Sequence, residues 1–209
     1  MPKQRFYIVW KGHQPGVFDT WAKCQQQIAG FSGAEYKSFA RREDAEKAFT
    51  ESFAQYRGQD TASFRKTSRE LDELGVVLDS VCVDASCSGN PGDLEYRGVD
   101  TRTQETLFHR GPFPQGTVNI GEFLAIVHAL ACLKRAGRAC PVYSDSQVAL
   151  GWLRDRSANT KLQRTRANNE LFELIDRAEK WLRENTYSNP VLKWITDRWG
   201  ENPADFGRK

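Results

Sequence analysis

Four acidic residues have the setting and spacing for shared chemistry: Asp84 in VDASCSGNPG, Glu122 in NIGEFLAIVHAL, Asp145 in VYSDSQVALGW and Asp205 in ENPADFGRK. Each falls at the edge of a strand-like or helix-like stretch. Carboxylates at strand ends and helix starts can converge on one rim of a sheet, where the sites of α/β proteins form. A convergent carboxylate group repels itself unless cations neutralise it, and an all-oxygen donor set suits Mg²⁺ or Mn²⁺. Two such ions ~3.5–4 Å apart hold the attacking and leaving oxygens of a phosphodiester in line. Each carboxylate also has a structural explanation. Asn119 followed three residues later by Glu122 spells a capping box. Asp145 or Ser146 can cap the next helix, Asp205 can favour a helix N-terminus, and Asp84 can serve a turn ahead of Ser88–Gly92. Spacing alone leaves both kinds of explanation open.

The elements that must carry these residues follow from the apolar pattern. Val76–Ala85 reads as a buried strand with Asp84 near its end, and Leu94–Asp100 and Glu105–Gly111 read as two more. Gly89, Asn90, Pro91 and Gly92 mark the turn between the first two. Asn119 to about Arg135 is a long helix with Glu122 in its first turn, Val142–Ser144 is a short buried strand ending at Asp145, and Gln147–Arg154 is a helix. Ala167 to about Arg183 is another helix, Leu192–Ile195 a strand, and a short helical segment follows Pro203, with Asp205 at its start. Three hairpin-compatible strands followed by crossover helices predict an α/β domain, a mixed sheet with helices packed on it.

Ahead of this domain, Phe6–Trp10 is a strand, and Gly12, Pro15 and Gly16 turn the chain into Val17–Phe18. Thr20 caps a short helix over Trp21–Ile28, Tyr36–Phe39 is a strand, and Arg42–Tyr56 is an amphipathic helix. The stretch GQDTASFRKTSRELDELG lacks a sustained apolar period and reads as a linker with at most a fragment of helix. The expected organisation is a small α+β domain at 1–57, a linker at 58–74 and the α/β domain at 75–209.

Composition narrows the class. The 209 residues are 39% apolar and 27% charged, and the mean hydropathy of -0.64 is that of a soluble globular protein. No run approaches the ~18 apolar residues of a membrane span; the longest, Phe123–Leu133, contains His128. The first residues enter a strand-like segment at once and do not read as a signal peptide. Five cysteines without a CxxC pair argue against a disulfide framework or a cysteine-built zinc site, and predict a reducing, cytoplasmic setting. The net charge of +3 is too small to name a partner, but its distribution is uneven. Residues 1–57 carry nine Lys/Arg against six Asp/Glu, interleaved with aromatics. Arg154–Arg166 holds five basic residues against Asp155 alone and reads as a solvated face.

In this order, VDASCSGNPG, GEFLAIVHAL, YSDSQVALGW and the NPAD turn resemble type I ribonuclease H, from about Val76 to Lys209. The most specific pieces are the strand-end Asp followed by SCSGNPG and the DSQ after a buried strand. The resemblance implies the ribonuclease H-like mixed five-stranded sheet with flanking helices. It makes Asp84, Glu122, Asp145 and Asp205 the catalytic, metal-holding carboxylates for two Mg²⁺ ions, with Mn²⁺ as a substitute. By that likeness Asp84 bridges both ions, Glu122 and Asp145 complete the one on the leaving-group side, and Asp205 holds the one that activates water. The implied activity is endonucleolytic hydrolysis of the RNA strand of an RNA–DNA hybrid, leaving 5′-phosphate and 3′-hydroxyl ends. Asn90, Asn119 and Gln147 match positions that touch the hybrid in the family, where the hydroxyl-bearing strand is recognised through the minor groove. As residues they also read as turn and cap positions.

The stretch RFYIVWKGHQPGVFDTWAKCQQQIAGFSGAEYKSFARREDAEKAF has a resemblance of its own. Through FYxVxxG, PGxFxTW and YKSF it is similar to the hybrid-binding domain that precedes many ribonucleases H, and to the caulimovirus viroplasmin repeat. The likeness implies that Tyr7, Trp21, Tyr36 and Lys37 grip a duplex, either RNA–DNA hybrid or double-stranded RNA, with Lys11 near the backbone. Aromatic faces can stack and lysines neutralise phosphates. Phe39 reads as core.

Two departures from the family stand out. Its members often carry a flexible histidine in the loop before the last carboxylate, but the loop Thr196–Pro203 has none. The histidines here, His13, His109 and His128, are away from that loop in sequence, and His128 points off the other side of the Glu122 helix. The basic segment after the Gln147 helix also lacks the tryptophan-bearing helix by which some relatives hold substrate. The N-terminal domain is then expected to supply the grip, raising effective concentration through the linker. The expected protein is a monomeric, metal-dependent endoribonuclease. The alternative is a hybrid- or double-stranded-RNA-binding adaptor, non-catalytic or weakly active.

Overall fold

The computed structural model describes residues 5–31, 34–39, 41–51 and 66–207, which fall into two units divided near residue 60. In the first unit, β1 (Phe6–Lys11) pairs antiparallel with both β2 (Gly16–Phe18) and β3 (Glu35–Phe39). Strand alternation sorts its side chains onto two faces. Phe6, Ile8 and Trp10 join Phe39 against Ala45 and Ala48 of α2 (Arg42–Thr50). Tyr7 and Val9 share the other face with Tyr36. Trp21 opens α1 (Trp21–Ile28), whose first turn is capped by the Thr20 hydroxyl as its sequence predicts. The helix expected as far as Tyr56 is seen to Thr50; residues 52–65 lie outside those described.

The second unit is the five-stranded mixed sheet. β4 (Val81–Gly89), β5 (Gly92–Asp100) and β6 (Thr106–Gly116) form an antiparallel meander, while β7 (Val142–Ser144) and β8 (Val191–Lys193) add in parallel on the far side of β4, giving the order β6-β5-β4-β7-β8. One face carries Val81, Val83, Leu94, Tyr96 and Val142. It is covered by α4 (Val118–Arg135), α5 (Gln147–Asp155) and α6 (Asn169–Glu184). α6 buries Leu171, Ile175, Ala178 and Leu182, a single stripe of an amphipathic helix, whereas α4 is apolar around most of its circumference and is the central helix of the unit. Gly121 lets α4 come down on the sheet: a Cβ there would meet the Ala85 and Leu94 side chains at 2.6 Å.

The opposite face carries Cys82, Val99 and Tyr143 beneath Leu71, Val76, Leu78, Trp194, Trp199 and Ala204. This second core accounts for several departures from the sequence reading. β4 begins at Val81, because Val76 and Leu78 lie over the sheet rather than in it. Within the segment read as a linker, residues 58–65 lie outside those described, but Ser68–Glu73 forms α3, with a Thr67–Glu70 capping box and a buried Leu71. A six-residue helix has too few apolar positions to show a period. β6 runs on through Pro112 and Pro114 to Gly116, which an edge strand tolerates because its outer N–H groups have no ladder to join. The helix expected after Pro203 is a turn instead, and the helical turn here is the preceding α7 (Thr196–Trp199). Asn202 diverts the chain: its side chain accepts from Ala204 N and donates to Val83 O, each at 2.9 Å, in place of helical bonds.

All five cysteines are free, and burial pushes the Cys82 thiol up to about 12. Among the described residues no helix is long and apolar enough to cross a membrane.

Candidate functional site

β7 stops pairing with β4 at Cys82 opposite Tyr143, two residues short of Asp84. Past that point the sheet opens, and three carboxylates meet there. Asp84 is still within β4, in mid-strand rather than in a turn. Asp145 follows the last residue of β7. Glu122 reaches over from α4, and one carboxylate oxygen of each lies within 4.8 Å of the others. The capping explanations fall away. α4 starts at Val118 after Thr117, which puts Asn119 inside the helix and Glu122 one turn in; α5 is capped by the Ser146 hydroxyl, which leaves Asp145 free of that duty.

Glu122 is pushed up to about 9, first by burial, then by the negative charges of Asp84 and Asp145 and by a hydrogen bond with Asp84. The Ser144 hydroxyl, donating to Glu122 Oε2 at 3.3 Å, pulls the other way. Oδ1 of Asp145 is buried and has no hydrogen-bond partner among the described residues. The nearby Lys193 ammonium donates to the Asp145 main-chain carbonyl. A buried carboxylate oxygen without a donor is costly, so this cluster has unmet demand for positive charge. Hard, all-oxygen donors of this kind fit Mg²⁺ or Mn²⁺.

Asp205 is buried but lies outside that group of three. Its segment is laid along β4: Asn202 bonds to Val83 O, and Phe206 N donates to Asp84 Oδ2 at 3.3 Å. The Asp205 carboxylate accepts from Gly207 N at 2.7 Å. Two residues that sequence reasoning missed hold this segment, Asn202 and Arg97. The signal for Arg97 was available, as a charged residue between buried Tyr96 and Gly98 in a central strand. Asn202 stood in the sequence only as the first residue of the NPAD turn, with no role of its own. The structure also amends the histidine picture. His109, on β6, sets its ring 5.8 Å from Phe206, directly after Asp205, and lies 3.7 Å from Glu95. His128 stacks on Phe108 at 4.1 Å and is lowered to about 4, chiefly by burial. His13 bonds the Ala29 carbonyl in the first unit.

Asn119 sits in the first turn of α4, Gln147 opens α5, and Asn90 is exposed in the β4–β5 turn. The two helix N-termini are the ends of α4 and α5 that lead to Glu122 and Asp145, and such ends favour anionic phosphate. In the first unit exposed Trp21 and Tyr36 and half-buried Tyr7 form a continuous aromatic cluster, with ring centroids 5.5 Å (Tyr7–Trp21) and 5.9 Å (Trp21–Tyr36) apart. Lys11 is exposed at the end of β1. Lys37 pairs with Ile8, so it is on the sheet face opposite Tyr36.

The family model described as the ribonuclease H1 N-terminal domain matches residues 5–49. A ribonuclease H of Crithidia fasciculata is 46% identical over 48 residues, which are 23% of this chain but only 10% of that protein's length. A ribonuclease H of Bradyrhizobium sp. (strain ORS 278) is 31% identical over 117 residues, covering 53% of this chain and 74% of the relative. Among solved structures, RNase H1 from the halophilic archaeon Halobacterium salinarum NRC-1 is 18% identical, covers 57% of this chain and 89% of its own, and has a TM-score of 0.38.

Proposed function

The chain belongs to the ribonuclease H family, and from that membership we propose that it is a metal-dependent endonuclease that hydrolyses the RNA strand of RNA–DNA hybrids. The observation that carries this reading is the meeting of Asp84, Glu122 and Asp145 within 4.8 Å, with a buried Asp145 oxygen that has no donor among the described residues. These three carboxylates, with Asp205 as the fourth, would hold the cations. Two Mg²⁺ ions, when bound, supply charge stabilisation at the scissile phosphate and an activated water, leaving 5′-phosphate and 3′-hydroxyl ends.

The chain's own residues do the rest. Burial of Asp84 and Glu122 keeps the site in a low dielectric, where each charge acts more strongly. Ser144 orients Glu122 through its hydroxyl. Asn119 and Gln147 present polar side chains and helix N-termini to the sugar–phosphate backbone, and the 2′-hydroxyl distinguishes RNA from DNA. Trp21 and Tyr36 hold the duplex through their exposed rings, backed by half-buried Tyr7, with Lys11 neutralising phosphate.

The test is cleavage of an end-labelled RNA–DNA hybrid beside single-stranded RNA, double-stranded RNA and double-stranded DNA. Each is run with Mg²⁺, Mn²⁺ or EDTA, for the wild type and Asp145→Asn. Cutting of the hybrid alone, lost with EDTA and with the substitution, is the expected result. Hybrid binding without cutting under either metal overturns the enzyme in favour of an adaptor, and cutting that survives EDTA overturns the role of the acidic site.

A further inference from the structure

We propose that Arg97 is the positioning residue of the acidic site, holding the segment that carries Asp205 against the strand that carries Asp84; this rests on the reading of those carboxylates as one metal-holding set. Arg97 lies directly across the β4–β5 ladder from Asp84, so the two side chains share a face of the sheet. Its Nε donates to Ala204 O at 2.8 Å and its Nη2 to Asp205 O at 2.5 Å. The guanidinium carbon sits 4.6 Å from the centroid of the Phe206 ring. One side chain thus grips three consecutive residues with a two-pronged fork and a cation–π face, an arrangement a lysine cannot copy because its ammonium is a point donor.

The grip matters because residues 203–207 have no helix or strand of their own to fix them. Asn202 pins one end of the segment to Val83, and Arg97 pins Ala204–Phe206 beyond it. Phe206 N in turn donates to Asp84 Oδ2, so the clamp ends on a carboxylate of the cluster itself. If the clamp is loosened, Asp205 loses its register with β4 while the other three carboxylates keep theirs.

Arg97→Lys keeps the charge and removes the fork, which separates positioning from simple charge neutralisation. Mn²⁺ binding to the full-length, metal-free protein is read by calorimetry without nucleic acid, and kcat and KM are read on the hybrid. The expected outcome is Mn²⁺ binding weakened about tenfold, with kcat lowered in parallel and KM held within about twofold. In an Asp205→Asn background the same change should add less than about twofold, because coupled residues are non-additive. Phe206→Leu keeps Arg97 and removes its stacking partner; loss of a cation–π contact predicts a roughly two- to fivefold weakening of Mn²⁺ binding. Wild-type Mn²⁺ affinity in Arg97→Lys, or losses fully additive with Asp205→Asn, would overturn the positioning role. A wild type that binds Mn²⁺ but leaves the hybrid intact sinks the proposed activity, and the calorimetric arm still decides the clamp. A wild type that binds no Mn²⁺ sinks both.

Discussion

Asp84 and Glu122 are 8% and 7% exposed, whereas Trp21 and Tyr36 are 43% and 36% exposed. Acids inside and aromatics outside reverse what solvation favours, and the two units make the reversal in different ways. The acidic site needs an exact meeting point, so β4, α4 and the end of β7 all contribute to it, and its electrostatic strain is stored in the protonation of Glu122. The aromatic cluster needs area rather than a point. A short sheet and the first turn of α1 suffice to present it, and its rings support one another. Chemistry is therefore expected to be sensitive to single atoms, and grip to be graded.

The largest test of that contrast is Asp84→Asn, which removes a charge and barely alters shape. Losing several kcal/mol of transition-state stabilisation predicts a fall in kcat on the order of 10³-fold, with hybrid affinity little changed; single-turnover cleavage measures the first and a binding titration the second. Cleavage within tenfold of wild type would show that the cluster is not where the chemistry happens. Trp21→Ala should do the reverse. One lost stacking platform is worth ~1–3 kcal/mol, so hybrid binding weakens roughly tenfold while single-turnover cleavage at saturating hybrid is preserved. Equal losses in both would erase the division of labour.

The smallest effect sharpens the comparison without nucleic acid. Glu122 titrates near 4.5 in an unfolded chain and about 9 when folded, so between those values the folded, metal-free protein binds the extra proton and its stability falls as pH rises. His128 acts in the opposite sense, but its contribution is complete above about 6.5, and thiols raised by burial act only above about 9. Between pH 7 and 8.5, in EDTA, the stability should therefore decline by up to ~1.4 kcal/mol per pH unit. Thermal melts of the wild type and Glu122→Gln measure it: the slope should vanish in the variant and shrink when Mn²⁺ is added. A slope shared by both proteins would mean that Glu122 is not the proton's address.

How much of this was legible in the sequence depends on how local the cause is. The Thr20 cap, the helix over Trp21–Ile28 and the strand Val142–Ser144 are written in adjacent residues, and all three stand as read. Asp84, Glu122 and Asp145 were visible as candidates, but their meeting depends on the β4–β7 pairing stopping two residues short of Asp84, a register relation that no local pattern records. The turn at Asn202–Gly207 was misread as a helix because its bonds run to Val83 and Arg97, more than a hundred residues away in sequence. α3 was legible only as a fragment of helix within the linker, for a similar reason: its single buried leucine has meaning only against the face it covers.

The margins of the five-stranded sheet bear on how the protein behaves at high concentration. On one side β6 carries Pro112 and Pro114, two positions with no N–H to offer, and on the other β8 is only three residues long. Neither margin presents the long, uninterrupted hydrogen-bonding edge that recruits strands from neighbouring chains into fibrils. Copies that meet at high concentration therefore find no ready template for strand addition at the margins of this sheet.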